Sequence, residues 1–185
     1  MSNCGLYTLA GLAKTCEASK GGISDIYITA YENVTGVTVS TGSTDVDVIT
    51  GISMSASTKF MHYHVRKGAC SMTETLNVDA ANGTNYVSTE LNLQFTRMEA
   101  QKRLELKAMA LNECAVIVKD ANGEYWYLGE ENPVIANGGA SQTGQAVGDG
   151  NFYAITLTDE NSSYPKNIKP SAVEAVVDEP TPVGA

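Results

Sequence analysis

The sequence is poor in several residue types that define functional sites. Its 185 residues include 2 histidines and 1 tryptophan, and 12 Lys and Arg are outnumbered by 21 Asp and Glu. The formal net charge of −9 disfavours tight nucleic-acid binding, because proteins that grip DNA neutralise phosphates with Lys and Arg. No segment approaches the roughly 18 apolar residues of a membrane span, and the N-terminus lacks the basic start and apolar run of a signal peptide. We therefore expect a protein made in the cytosol without a membrane partner.

The cysteines are few and scattered. Cys4, Cys16, Cys70 and Cys114 form no Cys-x-x-Cys pair and have no Cys/His spacing typical of a zinc site. A dense disulfide framework belongs to short secreted chains, which this sequence does not resemble. The pattern predicts four free thiols and no structural metal.

The overall composition indicates a β-rich globular protein. Hydrophobic residues make up 43% of the chain and charged residues 18%, with 17 glycines, a balance that excludes a coiled coil and a disordered chain. The length predicts one domain. We place it at residues 23–160, preceded by an N-terminal arm over 1–22 and followed by a proline-containing C-terminal arm over 161–185.

Alternation of apolar and polar residues predicts strands through the first half of the chain. The segment 26–39 reads as a strand, a turn and a strand, and 46–52 as a half-buried strand. Two longer strands follow at 59–78 and 86–95. Asn82-Gly83 lies between them and supplies the positive φ angles of a tight hairpin.

One convincing helix follows these strands. Thr96 and Glu99 have the spacing of a capping box, and residues through Asn112 are strong helix formers without Gly or Pro. An apolar stripe is predicted to pack against a sheet, and its members are Leu104, Ala108 and Leu111.

After the helix the strand pattern returns. Segments 115–118 and 124–128 flank Asp120-Ala-Asn-Gly123, a strong hairpin signal. A glycine-rich stretch over 133–150 reads as a flexible loop, and alternation over 152–158 marks a last strand. Beyond Asn161 the prolines favour an extended arm that docks onto a neighbour, with any 171–177 helix marginal. The predicted fold class is mainly β (α+β): an antiparallel β-sandwich or barrel with one flanking α-helix.

The two histidines are the first candidates for chemistry. His62 and His64 are two residues apart, so on a strand both imidazoles lie on one face, as in many metal sites. No third ligand stands at a recognisable position. Surface or interface residues are therefore the favoured interpretation, and we predict no metal ion and no cofactor.

Other catalytic patterns are incomplete. Asp120 and Glu131 have the spacing of the first and twelfth positions of a calcium loop, but Tyr125 occupies the sixth, which requires glycine. No Gly-Lys-Ser/Thr motif follows the glycine-rich stretch, and no nucleophile elbow is present. The sequence predicts that the protein is not an enzyme. The aromatic run Tyr125-Trp-Tyr127 keeps one alternative open, a soluble carbohydrate- or protein-binding β-sandwich.

The order of the elements resembles that of the tail tube proteins of tailed bacteriophages. The similarity covers roughly residues 23–158 and is clearest from Glu99 onward. It consists of a glycine after the aromatic strand, a Thr-Gly pair in the following loop, and an aspartate ahead of a final Tyr-x-Ile-Thr-Leu strand. The matching residues are Gly129, Thr143, Gly144, Asp149, Tyr153, Ile155, Thr156 and Leu157.

The resemblance implies a structural virion protein, assembled in the host cytoplasm. Such proteins form rings, usually hexameric, whose inner strands close a barrel around a channel for DNA. The implied partners are further copies of the chain, stacked rings and other tail, neck or connector proteins, and phage DNA passes without specific binding. An acidic lumen would suit this passage, since it repels phosphate over the roughly 10 Å that salt permits. The candidate lumen-lining residues are Asp45, Asp47, Glu74 and Asp79.

Overall fold

The structure is a computed structural model that describes residues 11, 18–41, 46–66 and 68–178. These residues form twelve strands, two α-helices and one turn of 3-10 helix at Tyr31–Asn33. The strands are β1 (Ile23–Ala30), β2 (Val34–Val39), β3 (Ile49–Met54), β4 (Phe60–His64), β5 (Ser71–Asp79), β6 (Thr84–Thr96), β7 (Cys114–Asp120), β8 (Tyr125–Leu128), β9 (Ile135–Gln142), β10 (Phe152–Asn161), β11 (Lys166–Ile168) and β12 (Val177–Asp178). The helices are α1 (Ala100–Leu111) and α2 (Pro170–Val176).

The strands are divided between two sheets. An eight-stranded sheet has the order β12-β4-β1-β7-β8-β11-β3-β2, and a four-stranded sheet has the order β5-β6-β10-β9. Neighbours in the four-stranded sheet are all antiparallel. The mainly β, α+β class predicted from the sequence is confirmed.

The two sheets pack face to face over a common core, which we call the first core. Ile26 and Val116 from the larger sheet meet Leu91, Leu93 and Leu157 from the smaller one, and each of these side chains is at most 1% exposed. The predicted face of alternate residues on β6 is the one that is buried, because Leu91, Leu93 and Phe95 point toward the partner sheet. Burial of each such side chain contributes about 1.5–3 kcal/mol.

A second core lies on the other face of the eight-stranded sheet, where α2 packs. Tyr27, Ile117 and Tyr127 from the sheet contact the helix residues Val173 and Val176. The sequence analysis predicted an extended arm here, and that prediction is wrong for residues 166–178. Pro170 stands at the start of α2, where its fixed φ suits the first turn, and the buried apolar face stabilises a helix too short to form alone.

Two elements before α1 also differ from the prediction. The segment 59–78 is not one strand, because β4 pairs with β1 in the larger sheet whereas β5 pairs with β6 in the smaller one. The capping box is absent: α1 begins at Ala100, Glu99 makes no capping hydrogen bond, and Thr96 still belongs to β6. Arg97, with φ of 64°, turns the chain between them.

The exposed and buried faces of α1 are exchanged relative to the prediction. Leu104 and Leu111 are 68% and 74% exposed, whereas Met109 is 4% exposed. Leu106 packs beside Met109 against the first core. A helix with few apolar residues has two faces of similar hydrophobicity. The position of the sheet decides which of the two faces is buried.

The glycine-rich segment is largely a strand rather than a loop, since β9 extends from Ile135 to Gln142 and pairs with β10. Gly139 lies so close to β10 that a Cβ atom would stand 2.7 Å from the Ala154 carbonyl oxygen. Only the following residues, 143–151, form the connecting loop. The glycines therefore permit close strand pairing here.

Two of the four predicted free thiols lie in the described part of the chain. Cys70 and Cys114 are free and buried, and burial raises the pKa of each thiol; Cys4 and Cys16 lie outside the described residues. Among the residues that the structure describes, no helix is long and apolar enough to cross a bilayer.

Candidate functional site

The exposed face of the four-stranded sheet is a regular polar surface. Register places alternate residues of each strand on this face, because directly opposite residues of antiparallel strands share a side. Most of them carry hydroxyl or amide groups. They include Thr73, Thr75, Asn77, Ser88, Asn92, Gln94, Thr156, Thr158 and Gln142.

Every charge on this sheet is negative. None of the four strands contains a lysine, an arginine or a histidine. Glu90 on β6 and Glu160 on β10 are exposed on the polar face. The sequence analysis missed both, although the burial predicted for Leu91, Leu93 and Phe95 already implied that Glu90 points the opposite way.

Both edges of this sheet are open within the described residues. Strand β5 has β6 on one side and strand β9 has β10 on one side, and neither has a second strand neighbour. Along the β5 edge, Leu76 and Val78 are 48% and 66% exposed, and Ile135 on β9 is 52% exposed. Unpaired backbone groups beside exposed apolar side chains are typical of strands that pair with another chain.

The three predicted lumen acids that the structure describes do not come together. Asp45 lies outside the described residues, and Asp47 stands before β3, with an Oδ1 atom 3.5 Å from Lys166 Nζ. Glu74 is opposite Thr89, so it points to the interior side of β5, and desolvation raises its pKa. Asp79 ends β5 on the polar side, opposite Thr84.

Asp79 has a local structural role. Its carboxylate accepts hydrogen bonds from the backbone N–H groups of Ala81 and Asn82, 2.9 and 3.2 Å away, and from the Asn82 side chain. The backbone hydrogen bonds lower the pKa of Asp79. It therefore holds the β5–β6 hairpin, in which Gly83 has the expected positive φ of 69°.

Apart from Gly129, the residues that match the tail tube pattern lie in the loop after β9 and on β10. Asp149 accepts hydrogen bonds from the backbone N–H groups of Gln145 and Ala146, each 2.7 Å long, and these bonds lower its pKa. Gly144 has φ of 74°, and a Cβ atom there would lie 2.4 Å from the Cβ of Asp149. Thr143 precedes this glycine and bonds locally to its carbonyl oxygen.

The residues of this pattern that belong to β10 lie on both faces of the strand. Ile155 and Leu157 are buried in the first core. Tyr153 is also buried, and its hydroxyl accepts a hydrogen bond from Arg103 of α1. Thr156 lies on the polar face, where its hydroxyl donates to Asn92 Oδ1. These residues shape the sheet and its contact with α1.

Gly129 contributes a buried hydrogen bond. Its N–H group donates to Asp159 Oδ2 at 3.2 Å, and the Asn161 side chain donates to the same oxygen. Gly129 has φ of 94°, and a Cβ atom would be 3.3 Å from backbone atoms of β7. A glycine after the aromatic strand is therefore required by the backbone conformation and by close packing.

The aromatic run of the alternative prediction does not form one platform. Tyr127 is 2% exposed within the second core. Tyr125 shares its side of β8 and lies under the Lys119 ammonium group, while Trp126 points to the other side and donates to Asp120 Oδ2. All three rings are thus held by contacts within the chain.

His62 and His64 lie on one face of β4, as the spacing predicted, and β1 brings Asp25 beside them. The sequence contained no local signal for Asp25, because its approach depends on strand pairing.

Comparison of the chain with protein-family models, with curated protein sequences and with solved structures finds no match.

Proposed function

We propose that this protein is a structural component of a tailed-bacteriophage virion that assembles into a ring and conducts DNA. One observation carries the proposal: a four-stranded sheet with two open edges, free of cations, presents a polar and acidic face. This is the combination that a conduit requires, because it must join to copies of itself and must not retain a polyanion.

Strand direction favours closure into a ring. The sheet has an even number of antiparallel strands, so its two edge strands, β5 and β9, run in opposite directions. Copies related by rotation would therefore bring β5 of one subunit antiparallel to β9 of the next. The two strands have 9 and 8 residues, so their backbone hydrogen-bonding groups match in length. Such a head-to-tail contact makes a ring when the rotation closes.

The charge distribution favours passage rather than binding. Lysine and arginine lie on other elements, including Lys102, Arg103 and Lys107 on α1, whereas Glu90 and Glu160 stand on the exposed face. Repetition around a ring would surround the channel with carboxylates, hydroxyls and amides. Phosphates would then meet repulsion at short range without any specific contact.

The test is to block one edge without unfolding the subunit. Leu76→Lys adds a charge on β5 at a side chain that is already 48% exposed, so the monomer should fold normally. Electron microscopy and size-exclusion chromatography should show rings or tubes for the original chain and monomers for the variant, because a buried lysine at a strand junction is strongly unfavourable.

Leu104→Lys is the matched control. Leu104 is 68% exposed on α1 and belongs to neither edge strand, and this variant should assemble like the original chain. The proposal fails if the original chain stays monomeric at high concentration, or if both lysine variants assemble equally well.

A further inference from the structure

A cluster of three metal-binding side chains lies on the eight-stranded sheet, remote from the polar face of the smaller sheet. The antiparallel register pairs Asp25 with His64 and Tyr27 with His62, which brings Asp25, His62 and His64 to one side of β1 and β4. One ligand atom from each of the three lies within 4.8 Å of the other two. The sequence alone offered two ligands, and strand pairing adds the third.

We propose that Asp25, His62 and His64 bind a divalent transition-metal ion of the zinc class. Two imidazoles and one carboxylate are a donor set found in zinc and non-haem iron sites, in which a fourth position is left for water or another ligand. His62 Nε2 and Asp25 Oδ1 are 2.9 Å apart. This is a hydrogen-bond distance, and a shared ion about 2.0–2.2 Å from both atoms would replace that bond and hold the two atoms about 3.4 Å apart at a tetrahedral angle.

The surroundings orient the ligands in advance. The His62 side chain is 5% exposed, and its ring stacks on Tyr27 with centroids 4.6 Å apart. The His64 ring is 4.1 Å from that of His62 and is exposed. Buried and stacked ligands lose little conformational freedom on binding, while the exposed histidine gives the ion a path of entry.

Among the residues that the structure describes, no strand covers the outer edge of β4 at His62 and His64. Within the described residues, β12 covers β4 only at Phe60 and Met61, so His62 and His64 lie past the end of that pairing. A hydrated ion can therefore reach the cluster from solvent.

Lys119 sets the electrostatic balance of the site. Its Nζ atom is 4.0 Å from Asp25 Oδ2, and it lies on β7, on the side of β1 away from β4. It neutralises part of the carboxylate charge but leaves Oδ1 directed at His62. Removal of this ammonium group should strengthen binding of a cation, because a like charge a few ångströms away is then absent.

The experiment uses the full chain, treated with a chelator and titrated calorimetrically with zinc chloride near neutral pH. Cobalt(II) absorption in parallel reports the ligand type. We expect one ion per chain with nitrogen and oxygen ligands, at least about tenfold weaker binding for His64→Ala and for Asp25→Asn, and about threefold tighter binding for Lys119→Met. His64 is exposed, so its variant should fold even if Asp25→Asn does not.

Thiols are the main competing ligands and provide the control. Cys4→Ser with Cys16→Ser should bind zinc like the original chain and should leave the cobalt spectrum unchanged. The proposal is overturned if the original chain does not bind, if His64→Ala binds as tightly, or if the serine variant loses the ion. These results do not depend on ring assembly, which is measured separately.

Discussion

At the scale of single residues, Asp159 is the most unusual acid of the described chain. It is 2% exposed, its Oδ1 atom has no hydrogen-bond partner, and Oδ2 accepts from Gly129 and Asn161. Burial raises its pKa from 3.8 to about 6. The folded protein therefore holds this proton over a pH range in which the unfolded chain has released it.

This shift predicts how stability depends on pH. The contribution of protonated Asp159 is complete below pH 3.8 and is lost as the pH rises through 6. The loss amounts to about 3 kcal/mol of unfolding free energy, at about 1.4 kcal/mol per pKa unit. Asp159→Asn should remove this dependence and should stabilise the protein by about 1–2 kcal/mol at pH 8, because the amide keeps both acceptor bonds without a charge.

Urea denaturation of the original chain and of Asp159→Asn at pH 4.5 and 8 measures the effect. The difference between the two proteins isolates Asp159 from other titrating groups, including Glu74. A variant that is less stable at pH 8 by the same amount as at pH 4.5 would contradict the assignment.

The residues of the family pattern act through backbone geometry rather than chemistry. Gly129 and Gly144 have positive φ, and each would place a Cβ atom against neighbouring atoms. Asp149 closes the loop that Gly144 permits. The motif is visible in the sequence. Only the structure shows that Gly144 packs against Asp149 in the turn and that Gly129 donates a buried hydrogen bond to Asp159.

At the scale of elements, α2 shows how packing replaces intrinsic helix stability. The helix has 7 residues, and Ala172, Val173 and Val176 are buried. Isolated helices of this length do not persist in water. The helix therefore depends on the second core, and that core depends on the helix to cover Tyr127 and Ile117.

Val173→Ala tests this dependence. Loss of two buried methyl groups and the resulting cavity should reduce the unfolding free energy by about 2 kcal/mol. Glu174→Ala changes the next residue, which is exposed, and should alter stability by less than about 0.5 kcal/mol. Denaturant midpoints measure both. Equal effects would show that α2 is not anchored by its buried face.

At the scale of the whole molecule, the proposed function rests on the separation of charges. Glu90 and Glu160 share the polar face with hydroxyl and amide groups, and lysines and arginines are on other elements. In the proposed ring this arrangement repeats in every subunit. Its effect on DNA can therefore be tested only in the assembled form.

Glu90→Lys combined with Glu160→Lys should convert the assembled rings from non-binding to DNA-binding. The DNA binding should show little sequence preference, and its affinity should fall steeply with salt concentration, because it would arise from phosphate contacts. Electrophoretic mobility shifts at two salt concentrations measure it. The control, Glu32→Lys with Glu174→Lys, makes the same charge change at exposed positions off this sheet. Equal DNA binding by both variants would contradict a channel face.

The sequence by itself determined the local features of this protein. Alternation identified most strands, Asn82-Gly83 and Asn122-Gly123 marked two hairpins, and the absence of Lys and Arg from four strands is a property of composition. These features depend on residues close together in the chain, so that local preferences and turn geometry suffice to specify them.

Only the tertiary structure decided which strands share a sheet and which faces are covered. It assigned β4 and β5 to different sheets, turned Met109 rather than Leu104 toward the core, and brought Asp25 to His62. Each outcome depends on a partner distant in sequence, because periodicity gives the side on which a residue points but not the element that it meets.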